Sequence, residues 1–268
     1  MGWRRPILPP AATRPFAAQR LVTLALLCGA WQAGAMLLHD PLMLPSCTAT
    51  LAAWYRDMAS GELPARIWTS IELLVRGYAA GVALAAMLMA LTLSSRCGDS
   101  LVSTLITAFG PLPGIALLPL AVMWLGLGAP SMILVLAHSV AWPLVLNGRA
   151  AFAATPATLL LVGRNYGFGR PRLALWIMMP AALPAVLSGL RIGWAYAWRT
   201  LIAAELVFGI SSASGGLGWY IFIEKNQLET DGVFAGLLTV VLLGIAMEAG
   251  FRIVEARTTG RWGIAAAA

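Results

Sequence analysis

Long apolar runs separated by short polar or basic breaks make up most of the chain. Arg20 to His39, about Trp68 to Leu93, Leu105 to Leu125, Ser131 to Phe152, Leu183 to Phe208 and Gly232 to Val254 carry few charges. A helix rises about 1.5 Å per residue and a bilayer core is about 30 Å thick, so roughly 20 apolar residues make one crossing. The pattern predicts an all-α polytopic membrane protein with about six transmembrane helices. One run differs from the others: Pro111, Pro113, Gly114 and Pro119 interrupt the third. That composition predicts a kink in a helix packed among neighbours.

The breaks between runs have their own character. Residues 1–19 set Arg4, Arg5 and Arg14 among Pro6, Pro9, Pro10 and Pro15, a composition that suits a tail better than a helix. Asp40 to Ala65 is mixed, with Arg56, Asp57 and Glu62 around Trp54 and Tyr55, and reads as an outer loop with an interfacial helix. Residues 153–180 form the longest basic stretch between apolar runs. Gly209 to Asp231 is rich in Gly and Ser, and Arg257 and Arg261 lie in a tail, 256–268. The first run follows a charged segment, as a signal peptide would, but it is long enough to span, and Leu27 before Cys28 is too large for lipoprotein-type cleavage.

Charge placement sets the orientation. Segments read as inner hold Arg4, Arg5, Arg14, Arg20, Arg96, Arg149, Arg164, Arg170, Arg172, Arg191, Arg252, Arg257 and Arg261; those read as outer hold Arg56, Arg66 and Lys225. Under the positive-inside rule both termini face the cytoplasm.

Composition narrows the class further. At 60% hydrophobic and 11% charged residues, with a mean hydropathy of +0.81, an ordinary water-soluble domain is excluded. A net charge of +7 would suit a nucleic-acid partner if the basic residues formed one patch, but they are spread along the ends of apolar runs. Cys28, Cys47 and Cys97 share no close spacing, which argues against a disulfide framework or metal site. The only histidines, His39 and His138, supply no metal-binding or catalytic motif. No GxxxxGK[ST] stretch occurs, so the sequence carries no P-loop motif for nucleotide phosphates.

The 153–180 stretch has readable punctuation. Thr155 is placed to cap a helix with Pro156 at its first position, the run Leu159 to Val162 forms its body, and Gly167 stands where a helix ends in a left-handed residue. A second short helix is expected from Pro171 to about Met179, checked by Pro180. Two short helices joined at a glycine form a protruding elbow. It either lies on anionic headgroups through its arginines or docks a soluble partner, and composition alone does not choose.

Charges inside the runs need partners or a polar path, since each costs about 2.5–3.5 kcal/mol at mid-span on insertion scales. Glu72 and Arg76 stand at i and i+4 in the favourable order for an intramembrane ion pair. Arg199 and Glu205, six residues apart, fall on opposing faces. Arg199 is a candidate path-lining cation for an anionic solute or a bond to a neighbouring helix's carbonyls, and Glu205 a cap or gate. Trp198, with Trp194 one turn before it, shapes an apolar path, faces lipid or packs as core. His138 and Asn147 are expected to hydrogen-bond between helices rather than to act as ligands for a substrate.

Gly167, nine intervening residues and Ile177-Met178-Met179-Pro180 resemble the cytoplasmic EAA signature of binding-protein-dependent ABC importer permeases. Pro184 to Arg191, Ile202-Ala-Ala-Glu205, Gly215-Gly-Leu-Gly218, Arg76-Gly77 and Leu118-Pro119 to Gly128 are similar to the sulfonate, nitrate and taurine branch. Leu161-Val162-Gly163 departs from the Glu-Ala-Ala of the signature, and Arg164 stands in as a polar contact. The resemblance implies a type I ABC importer permease core at residues 67–255, after a first helix and outer loop at 20–66. It implies a non-enzymatic subunit with a second permease copy, two ATP-binding subunits and an extracytoplasmic substrate-binding protein in a bacterial inner membrane. The solute would be small and anionic. ATPase coupling would fall to Gly163, Arg164, Tyr166, Gly167, Phe168, Leu173 and Pro180, and the path to Trp198, Arg199 and Glu205. A standalone transporter or channel would instead call for inverted repeats or mid-span proton relays.

Overall fold

The computed structural model describes residues 15–208 and 215–258, so most of both tails and the centre of the Gly/Ser-rich segment lie outside the described residues. Arg4, Arg5, Arg14 and Arg261 are among those outside. The described residues form α-helices and short 3₁₀ and π pieces, with no strand. Helices α1 (Pro15–Leu38), α3 (Glu62–Ser94), α6 (Ala129–Ala153) and α11 (Thr230–Thr258) are each long and apolar enough to cross a membrane, as is the unbroken stretch Arg170–Val207. A sixth crossing is a broken one, α4 (Arg96–Phe109) followed by Gly114–Leu125 at an angle of 89°.

That break is sharper than the expected kink, and its cause is local. Pro111 and Pro113 each remove a backbone donor and push the preceding residue out of the helical region. The chain therefore leaves α4 at Phe109, makes a 3₁₀ turn at Gly114–Leu117 and starts afresh as α5 (Leu118–Leu125). Pro119 is no interruption at all, because it sits in the first turn of α5, where its missing N–H costs nothing. Arg96 and Cys97, read as an inner loop, belong to the first turn of α4, which Ser95 caps by accepting from the Gly98 amide at 3.0 Å.

At the opposite end the expected interfacial helix is α2 (Cys47–Ala59), capped by Ser46. Gly61, at φ 86°, reverses the chain into α3. α2 does not simply float on the surface: Trp54 donates from Nε1 to Thr239 of α11 at 3.1 Å, and Tyr220 donates to Asp57 at 2.6 Å. The segment before α2 runs back along α1, where Trp31 donates to the Pro45 carbonyl at 3.0 Å. This return brings Cys47 against Cys28, two thiols the sequence separates; both are free, and burial followed by the Cys28 neighbour raises the Cys47 thiol.

The core is built around α6, with α3 and α9 (Met179–Phe208) packed along it. Leu136, Val135, Val140 and Val145 of α6 are fully buried. Close approach depends on Gly77 and Gly81 of α3: a Cβ at either would stand 2.5 Å from the Cβ of Leu136 or Val140 respectively. Small residues one turn apart let two backbones approach in a setting where lipid and side chains are equally apolar. α1 keeps its apolar side chains exposed, Leu21, Leu24, Leu27 and Leu37 among them, as suits a helix facing lipid or a partner.

Candidate coupling elbow and solute cavity

The elbow leaves the bundle after α6. α7 (Ala157–Asn165) begins with Pro156 at the cap position; Thr155, expected to cap it, is buried with its hydroxyl unpartnered. The far end follows the expectation for Gly167, which lies at φ +74°. The Gly167 amide bonds to the Arg164 carbonyl at 2.9 Å and the Phe168 amide to the Gly163 carbonyl at 3.0 Å. These are the paired bonds of a Schellman ending, which satisfies the last carbonyls of α7 and turns the chain sharply. Gly163 lets the two arms touch: a Cβ there would meet Leu173 Cδ1 at 2.6 Å. Leu173 is therefore half-buried between the arms, and Phe168 is half-buried as well. Tyr166 projects, 78% exposed, with Arg164 exposed beside it and Leu161, Leu175 and Trp176 also uncovered.

The second arm is not a separate helix. α8 (Arg170–Leu173) runs through a π-helical turn, Ala174–Met178, directly into α9. Pro180 was expected to stop it. The proline ring would clash with the carbonyl four residues back and offers no N–H, and the wider π turn accommodates both defects without ending the rod. The second arm of the elbow is thus one continuous helical rod with α9.

The charges within the spans fall into distinct settings. Glu72 and Arg76 pair at 2.5 Å on an exposed face of α3. Arg191, counted above with an inner loop, lies on α9 and pairs with Glu248 and with Glu255 at 3.5 Å on α11. Arg199 is exposed in the groove between α9 and α11, and Trp198, only 8% exposed, packs on the same side with its Nε1 near Gly244. Glu205 is 2% exposed and faces neither Arg199 nor an opening. Its carboxylate accepts from Ser70 Oγ at 3.0 Å and from the Gly218 amide at 2.8 Å, while the Leu217 amide donates to Ser70 Oγ at 2.8 Å. Together Glu205 and Ser70 satisfy the first amides of α10 (Leu217–Asn226) and tie three helices together.

A different face of α9 borders a cavity that no single run announces. Ile192, Tyr196 and Thr200, one turn apart on α9, line it with His138, Ser139, Trp142 and Asn147 of α6 and with the broken segment Gly110–Ile115. Its volume is about 570 Å³, and it lies midway along both long helices. Ser139 and Thr200 hydroxyls meet at 3.2 Å across it. Among the described residues His138 and Asn147 do not make the expected bonds between helices: neither His138 nitrogen has a partner there, and Asn147 donates to the Pro143 carbonyl of its own helix at 2.8 Å. The recurrence of polar and aromatic residues at i, i+4 on α6 and α9 was the available signal, but in helices apolar all round it does not say which face is packed.

Comparison with known proteins places this architecture. The profile of the family described as the inner membrane component of binding-protein-dependent transport systems matches residues 80–260. The chain belongs to that family. The permease is 29% identical over 244 residues to the taurine transport system permease protein TauC of Escherichia coli, covering 88% of this chain and 87% of that one. It is 28% identical over 229 residues to a putative ABC transporter permease protein of Methanocaldococcus jannaschii, at 84% and 85% coverage. A crystal structure of an amino acid ABC transporter with histidines superposes with a TM-score of 0.62 at 15% identity, over 77% of this chain and 97% of that one, and so shares its fold. The protein is a permease subunit of an ABC transporter, and the resemblance read from the elbow, Pro184–Arg191 and Gly215–Gly218 pointed to this family.

At the end of the permease opposite the elbow, Glu224 of α10 is 8% exposed, packs on Gly232 and has no partner for its Oε2 among the described residues. Burial, then the charges of Glu229, Asp57 and Glu62, push it up to about 7 from an ordinary 4.5, against the opposing effect of Arg56. The folded state therefore holds a proton that the unfolded chain releases, and Glu224's contribution is greatest below about pH 4.5 and is lost as pH rises through 7. Amide exchange across α10 and the start of α11 is expected to quicken between pH 5 and 7.5 beyond its intrinsic dependence, and Glu224→Gln to flatten that excess. An identical excess in the variant would refute the assignment.

Proposed function

We propose that the permease, paired with a second copy of itself, forms the path by which a small anionic solute enters the cell across the bacterial inner membrane. A binding protein on the outer side delivers the solute, and two copies of a separate ATP-binding subunit, which hold ATP and Mg, drive the cycle. Relatives named for taurine and aliphatic sulfonates support that solute class. Gly163, Arg164, Tyr166, Gly167, Phe168, Leu173 and Pro180 form the coupling element. Tyr166 and Arg164 make the contact, Gly167 holds the bend, Gly163 and Leu173 lock the arms, and Pro180 sits where the elbow rod enters the bundle.

The observation that carries this reading is the projecting Tyr166 at the tip of an elbow whose second arm continues unbroken into α9. An exposed aromatic beside an arginine is the composition that anchors protein interfaces, and rigidity behind it lets a partner's motion reach the bundle. Placing the elbow inside agrees with Arg164, Arg170 and Arg172 on it, and sets the described start of α1 and end of α11 on the same side.

Purification of the tagged permease from native membranes in mild detergent, with mass spectrometry of co-eluting chains, tests the reading. Recovery of a soluble ATP-binding protein, lost on Tyr166→Ala, is the expected result. Elution without an ATP-binding chain across several detergents would favour a standalone transporter.

A further inference from the structure

We infer that the cavity between the α4–α5 break, α6 and α9 is a station for the oxyanion head of the solute, bound by neutral donors around His138 and Trp142. The inference rests on the permease carrying an anionic solute. It moves the recognition of that anion away from Arg199, which faces the groove between α9 and α11.

The cavity has the size of a small-ligand site, at about 570 Å³, and sits half way along α6 and α9, where a solute in transit has left both aqueous sides. Its chemistry is one-sided. Trp142 Nε1 and both nitrogens of His138 are buried without a hydrogen-bond partner among the described residues, although an indole N–H can only donate and a neutral imidazole must donate through one nitrogen. Leaving such groups unpaired costs free energy, so a structure that keeps them beside a cavity is suited to a ligand that accepts from them.

Further donors converge on the same space. Ser139 donates its one proton to the Val135 carbonyl at 3.0 Å, so in the 3.2 Å contact Thr200 donates to Ser139 Oγ, a bond it exchanges for one to a ligand by rotating its hydroxyl. Tyr196, half exposed, brings a phenol, and Asn147 has a second amide proton beyond its bond to Pro143. Among the described residues no carboxylate lines the cavity, so a cation would be desolvated without a counter-charge. Among the same residues no arginine or lysine lines it either. Neutral donors hold an oxyanion by several hydrogen bonds yet form no ion pair that would trap it, and a transport path must release what it binds.

The close fit at the break belongs to the same arrangement. Gly114 lies so near α6 that a Cβ would stand 1.9 Å from Ser139 Oγ. Glycine there lets the broken segment form the cavity wall against the hydroxyl pair.

The chain's only histidines, His39 and His138, allow a selective readout. The full chain, labelled with ¹⁵N-histidine and reconstituted in lipid nanodiscs with its unlabelled partners, is titrated with propanesulfonate. The expected result is a saturable displacement of the His138 ring signals with those of His39 unmoved. Trp142→Phe removes one donor at nearly constant shape and is expected to weaken the apparent affinity about tenfold or more, as loss of a hydrogen bond to a charged group does. An unmoved His138 would overturn the proposal. So would an equal displacement by propyltrimethylammonium or by cytosine, which would mark the cavity as a site for cations or neutral heterocycles. Co-purification of the ATP-binding subunit reads the elbow and not the cavity, so a failure there is distinguishable from a failure here.

Discussion

Gly167→Pro leaves the permease in the membrane at its normal level and reduces ATP-driven uptake to background. Insertion depends on apolar helices that the substitution does not touch, whereas the elbow depends on one backbone conformation. Gly167 lies at φ +74° and its amide closes the bond to Arg164. Proline holds φ near about −65° and has no N–H, so both the turn and the bond are lost, and Tyr166 no longer stands fixed relative to the arm that enters α9. Among the described residues nothing lies within 4 Å of a Cβ at this position, so the effect is conformational and not steric. Gly167→Asn, which tolerates the left-handed region, should therefore retain most uptake, and Gly167→Ala should fall between, since a side chain there costs about 1–2 kcal/mol. Uptake and ATP hydrolysis measured in the same proteoliposomes check this order. Normal uptake by the proline variant would refute the role of the elbow.

Glu205→Ala is expected to produce the largest loss of stability among the in-span substitutions. The carboxylate accepts from Ser70 and from the Gly218 amide at a site where water does not reach, and Gly216 and Gly218 leave no room for the surroundings to close in. Removing it strands two buried donors, at about 1–3 kcal/mol each. Glu205→Gln keeps one acceptor oxygen and should recover part of the loss, while Arg199→Ala, which lies on another face, should change the unfolding temperature little. Thermal unfolding in detergent, followed by tryptophan fluorescence, separates these cases. An unchanged midpoint for Glu205→Ala would show that the clamp is not what holds α10.

These two residues mark how far the amino-acid order could be read. Gly167 was legible because a helix ending is local: an apolar run, a glycine and a basic flank specify a turn within a few residues. Glu205 was legible as an expensive charge that would cap or gate, but not as to what it caps. Its partners, Ser70 and the amides of α10, are remote in sequence, and the Gly/Ser-rich segment between α9 and α10 offers no periodicity from which their meeting could be inferred. The same holds for Cys28 and Cys47, which meet because residues 40–46 fold back along α1. Pro180 misled for a local reason, since a π turn lets a proline pass through a helix that an ideal geometry would end.

What the sequence determined by itself was the class of the protein, its crossings, the elbow and the family, because these rest on hydropathy over about 20 residues, on turn chemistry and on short motifs. Tertiary structure alone decided which face of each crossing meets which neighbour. A helix that is apolar all round carries no amphipathic pattern to orient it, so the division of α9 into an Arg199 face toward α11 and a Tyr196 and Thr200 face toward His138 is set by packing. The near right angle between α4 and α5 has the same origin. Prolines forbid the straight helix, but packing of the broken segment against α6 and α9, with Gly114 close to Ser139 and Leu118 and Ala121 in the core, determines where the broken ends come to rest.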